Sequence, residues 1–117
     1  MAATRLNPKP PIGKWEVIGS QIGGTTGLTV PDFNVYQELY VVAWRETQSV
    51  VAFQGTLIAG GFLTSRKNSF FLSGYAAMSP YFHGCVVSLS ATTLKIEELF
   101  QNGTNYTSSS KMNVYAR

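Results

Sequence analysis

A chain of 117 residues has the length of one domain, enough to bury roughly two-thirds of its unfolded surface around a single core. It is 44% hydrophobic but only 13% charged, about half the usual charged share of roughly 25%, so Ser, Thr, Asn, Gln and aromatic side chains must form much of a surface suited to contact with protein chains or sugars. The formal charge of +3 comes from nine cations scattered against six acids; with only Arg66 and Lys67 adjacent, there is no basic stripe to track successive phosphates, which argues against a nucleic-acid partner.

In chain order, residues 1–13 contain "NPKPPIG" and three of the five prolines, a composition that favours extended backbone and forbids a regular ladder. They read as a flexible leader, with one folded domain over residues 14–117. That domain opens at "KWEVIGS", where Trp15 and Val17 alternate with Lys14 and Glu16 as in a half-buried strand. "QIGGTTGLTVPDF" reads as a glycine-rich loop carrying a short strand, Leu28 to Val30, and lacks the Lys-Ser or Lys-Thr pair of a phosphate-cradling loop.

Further strands are predicted over Val35 to Arg45, Ser49 to Gln54, Thr56 to Leu63, Ser69 to Ala77, Gly84 to Ala91, Leu94 to Phe100 and Lys111 to Ala116. The clearest alternation is "CVVSLSA", with Cys85, Val87, Leu89 and Ala91 on one face. "TTLKIEELFQ" permits a helix, but it is short and lies between strand-like runs, so a strand is preferred. Eight or nine short strands with Gly, Ser and Thr turns predict an all-β fold, an antiparallel β-sandwich of jelly-roll-like form. The strand Val35 to Arg45 is unusual in being apolar on both faces: Leu39, Val41 and Ala43 on one, Tyr36, Tyr40, Val42 and Trp44 on the other.

Chemistry-bearing residues are scarce. Cys85 is the sole cysteine, His83 the sole histidine and Asp32 the sole aspartate, which leaves no thiolate cluster, no nucleophile elbow and no calcium loop. Adjacent Glu97 and Glu98 point to opposite faces of a strand and do not form the opposed carboxylate pair of a glycosidase. The expectation is a non-enzymatic protein without metal or cofactor. No run reaches the roughly 20 apolar residues of a bilayer span, and "MAATRLNPKPPIG" lacks the apolar segment of a signal peptide, so synthesis in a cytosol without membrane insertion is expected.

The phrases "KWEVIGSQIGGTTGLTV", "NVYQELYVVAW", "FLSGYAAMS" and "NGTNYTSSSKMNVYAR" resemble the C-terminal head or tip domains of bacteriophage tail-fibre and receptor-binding structural proteins, over roughly the last hundred residues. That resemblance implies a virion structural protein, a homotrimer, whose exposed loops recognise a host surface saccharide or protein. Tyr36, Tyr40, Val42 and Trp44 are then expected to meet neighbouring subunits. Tyr81, Phe82 and His83, on a loop between Pro80 and Gly84, are expected to contact ligand, with Arg66 adding a charge-assisted bond. The alternative is a monomeric carbohydrate-binding module in which Tyr36, Tyr40 and Trp44 form a sugar platform.

Overall fold

The computed structural model describes residues 14–47, 53–74, 83–101 and 103–117. They build nine strands: β1 (Glu16–Gly23), β2 (Leu28–Thr29), β3 (Glu38–Arg45), β4 (Phe53–Ile58), β5 (Asn68–Gly74), β6 (Gly84–Leu89), β7 (Thr93–Gln101), β8 (Thr104–Asn105) and β9 (Ser110–Ala116). All pairings are antiparallel, in the order β1-β9-β3-β4-β5-β6-β7-β2, with β8 also on β7. The pivot is β5, whose last residues pair with β4 (Gln54 with Ser73, Phe53 with Gly74) while Asn68 to Leu72 pair with β6. One continuous sheet therefore curls along β5 into two layers whose inner faces meet, an all-β, sandwich-like fold.

The core follows from two-residue alternation. Leu39, Val41 and Ala43 of β3 stand opposite Ala116, Val114 and Met112 of β9, and all six are fully buried. Cys85, Val87 and Leu89 of β6 and Leu94, Ile96 and Leu99 of β7 close the core from the other layer. Burial pushes the Cys85 thiol up to about 12, so it packs as a small apolar group. In β7 the inward spacing changes from two to three residues after Ile96. A bulge is the reason: Val87 pairs with Ile96 but Val86 with Glu98, leaving Glu97 as the extra residue. The helix-compatible spacing of "LKIEEL" is thus a bulged strand.

Several expected elements need correction. Trp15 and Val17 do share a face, but it is the outer one, with Val17 58% exposed; Val17 pairs with Tyr115 on the outer face of β9, and Ile18 and Ile22 pack against the core instead. The expected start of a strand at Val35 is a 3₁₀ turn, Phe33–Val35, where the Asp32 carboxylate accepts the Asn34 N–H. Asn34 then ties this turn to the following loop, its Oδ1 accepting from Gly61 and Leu63 N–H and its Nδ2 donating to the Leu63 carbonyl. The two strands expected around Gly55 are one, β4, within which Gly55 gives room to Leu72: a Cβ there would lie 3.1 Å from Leu72 Cδ2. Residues 1–13, 49–52 and 75–82 of the expected leader, strands and loop lie outside the described residues.

Gly24 joins the two layers on the side opposite β5. Its N–H donates to the Ser110 carbonyl at 2.8 Å and its carbonyl accepts from Ile96 N–H at 2.9 Å. A Cβ at Gly24 would collide with Ser110 Oγ and lie 2.7 Å from Ile96 Cδ1. Gly24→Val is expected to destabilise the fold by about 1–3 kcal/mol, the usual cost of overpacking, read as a lower urea midpoint; an unchanged midpoint would mean that this closure contributes nothing.

Buried Ser88 is satisfied by Glu97, its Oγ donating to Oε2 at 2.6 Å, with Lys67 Nζ at 3.7 Å from the same oxygen. The Ser88 hydrogen bond holds the Glu97 carboxyl below its ordinary range against the opposing effect of burial, helped by Lys67 and Lys95. A carboxylate lowered in the folded state stabilises above the unfolded range of about 4.3 and loses that contribution as pH falls through the folded value. Ser88→Ala should therefore raise the Glu97 midpoint toward the unfolded value in an NMR titration and reduce the stability that is lost on acidification below about 4.3.

Candidate functional site

The outer face of the β1-β9-β3-β4 layer carries an aromatic groove. Strand register places Tyr40 between Tyr115 and Thr56, and Val42 between Asn113 and Gln54, while Val17 flanks Tyr115 on the far side. Trp15, Tyr40, Val42, Gln54, Thr56 and Tyr115 line a groove of about 490 Å³. Trp15 meets Tyr40 edge-on with ring centroids 6.0 Å apart, and Tyr115 lies tilted at 6.2 Å from Tyr40. Trp15 and Tyr115 are inclined to the Tyr40 ring between them by 61° and 46°, so the three form a slot, not one flat platform.

Polar contacts hold the walls. The Tyr40 hydroxyl donates to Gln54 Oε1 at 2.6 Å. The Arg117 guanidinium lies 4.5 Å over the Trp15 ring while its Nε and Nη2 each approach Glu38 Oε1 at 2.7 Å. Glu38 fixes Arg117, and Arg117 fixes an indole that remains 39% exposed. The second apolar face of β3 is thus covered from within one chain at Val42, only 8% exposed, while Tyr40 and Trp44 remain half-buried.

Of the four residues expected at a subunit interface, Tyr40 and Val42 line the groove. Trp44 shares their face, opposite Lys111, but lies beyond the lining residues. Tyr36 leaves the face because the chain before Glu38 is not a strand; it packs against the core, and burial, with the Glu16 carboxylate adding to it, raises its phenol above the ordinary value.

Of the four expected ligand contacts, Tyr81 and Phe82 lie outside the described residues. His83 is half-buried at the start of β6, whereas Arg66 is exposed just before β5, whose first residue pairs with the end of β6. About 20 Å of strand separates the two at roughly 3.3 Å per residue, so they do not join one site. Asp32 is equally remote from His83, since the Phe33 N–H bonds the carbonyl of Ala91, beyond the far end of β6. Among the described residues no three His, Cys, Asp or Glu side chains converge.

Trp15, Gln54, Thr56 and Tyr115 were not among the expected site residues. The alternation of "MNVYA" does place Tyr115 opposite Met112 and Val114, but its pairing with Tyr40, 75 residues away in sequence, has no local signal. In comparisons with protein-family models, curated proteins and solved structures, no family, relative or fold neighbour matches the chain.

Removing the guanidinium tests the clamp. In a Trp44→Phe background, Arg117→Ala should increase acrylamide quenching of Trp15, since an exposed cation–π contact of roughly 0.5–1 kcal/mol no longer restrains the ring. Unchanged quenching would show that the ring is held by the sheet alone.

Proposed function

We propose that this domain is a non-enzymatic structural and attachment module of a virion, working as a homotrimer, and that its recognition surface is the outer face of the β1-β9-β3-β4 layer. The observation that carries the reading is the groove: three aromatic rings, two of them restrained by polar partners and two on strand positions, still open to solvent. Aromatic anchors of this kind dominate recognition surfaces because they offer large contact area at little cost in side-chain order. The resemblance to phage fibre-tip domains supports the virion setting and the trimer, and the wide separation of His83 from Asp32 supports a binding role over hydrolysis. No described helix is long and apolar enough to cross a membrane.

Recognition by this face differs from recognition by the end loops in which residues it needs. Fluorescently labelled protein should adsorb to host bacteria, and Trp15→Ala combined with Tyr40→Ala should abolish adsorption while circular dichroism and mass stay unchanged. Adsorption that survives in the folded double variant would overturn the assignment. Light scattering should give about three times the 12.8 kDa of one chain; a mass of one chain at micromolar concentration would remove the trimer. Because Val42 is already covered within one chain, the subunit contacts in this reading fall outside the groove.

A further inference from the structure

We infer that the groove takes one or two units of an uncharged saccharide, with Tyr40 as the stacking floor, Trp15 and Tyr115 as walls, and Gln54 and Thr56 as hydroxyl partners. This rests on the reading of the outer face as a recognition surface and names its ligand class.

Size is the first argument. About 490 Å³ lies within the roughly 300–1,000 Å³ of small-ligand clefts, whereas a stable protein partner buries about 800 Å² on each side and favours a broader contact. Charge is the second. None of the six lining residues carries a carboxylate, an amine, a guanidinium or an imidazole. Of the charges around it, Arg117 is paired with Glu38, and Lys111 with Glu46 at 3.7 Å, while exposed Lys14 precedes Trp15 in the chain and is not a lining residue. The lining itself offers an anionic sugar, a phosphate or a carboxylate no cation.

The third argument is the direction of one hydrogen bond. Because the Tyr40 O–H is spent on Gln54 Oε1, the phenolic oxygen is left as an acceptor and the Gln54 NH₂ as a donor, side by side at the groove floor. A pair of vicinal sugar hydroxyls, each able to donate and accept, complements that arrangement. The apolar C–H face of a pyranose complements the rings. A purely apolar ligand would leave these polar groups unpaired on burial, at a cost that disfavours it.

The test uses the full chain carrying Trp44→Phe, so that Trp15 alone reports. It is titrated with neutral hexasaccharides (gluco-, manno-, galacto- and xylo-configured), with polygalacturonate and heparin as anionic probes, and with a peptide of residues 7–13, because proline-rich segments also dock in aromatic grooves. At least one neutral saccharide should saturate a change in Trp15 emission. Tyr40→Ala should abolish it, and Gln54→Leu and Thr56→Val should each weaken it about three- to tenfold, the worth of one hydrogen bond, with folding checked by circular dichroism. The inference is overturned if no neutral saccharide binds, if the anionic probes or the peptide bind more tightly, or if Trp15 emission changes with protein concentration alone, the mark of a second copy in the groove. Should adsorption to cells depend on Trp15 and Tyr40 while every neutral saccharide fails, the ligand class is wrong and the recognition surface stands. Should adsorption also be independent of them, both are wrong.

Discussion

The shared pairing of β5 is the constraint on which the rest of the molecule depends. A strand has two hydrogen-bonding edges, and β5 uses different parts of its length for β4 and β6. The sheet must therefore bend where one partner gives way to the other. The bend brings the inner face of β3, β4 and β9 over that of β6 and β7, so that eighteen hydrophobic side chains of the described residues are buried in one core. Burial of each large one is worth about 1.5–3 kcal/mol. Gly24 completes the closure on the opposite side, where two backbone hydrogen bonds need an approach that no side chain permits.

A sheet that buries one face in this way leaves the other without a core to meet. Most sheets answer with polar side chains on the outside. Here Trp15, Tyr40, Val42 and Tyr115 occupy that surface and partly cover one another, with Gln54 accepting the Tyr40 hydroxyl and Arg117 lying over the Trp15 ring. The placement of Tyr40, Val42 and Tyr115 on β3 and β9 matters for function, because those strands are held by the ladder on both sides and lose little further order on binding. The same layer has β1 at its edge, and the irregular register of that strand, with Gln21 at φ 50 and its N–H turned to Asn113 Oδ1, blunts an edge that would otherwise invite pairing with another chain.

Legibility varied with the range of the interaction responsible. The alternation of Cys85 to Leu89 and of Met112 to Ala116 was readable because each residue's neighbours two positions away carry the signal. Trp15 and Val17 show its limit: their shared face was legible, but which side faced the core was not, since the pairing of Val17 with Tyr115 of β9 decides that. Gly55 read as a break because glycine weakens isolated strands, whereas its role is set by Leu72 on the adjacent strand. The bulge at Glu97 gave "LKIEEL" a helical spacing that only its pairing with β6 resolves.

By itself, then, the sequence determined that the chain is all-β, that β3 is apolar on both faces, and that catalytic and metal-binding residue types are few, since composition and two-residue periodicity are local properties. Tertiary structure alone decided that Arg66 and His83 stand at opposite ends of β6, that Tyr36 turns inward, and that Tyr115, Trp15 and Gln54 meet around Tyr40. Each of those outcomes depends on which strands pair and in what register. That choice is made by burial of the whole sheet at once, through contacts between residues far apart in the chain.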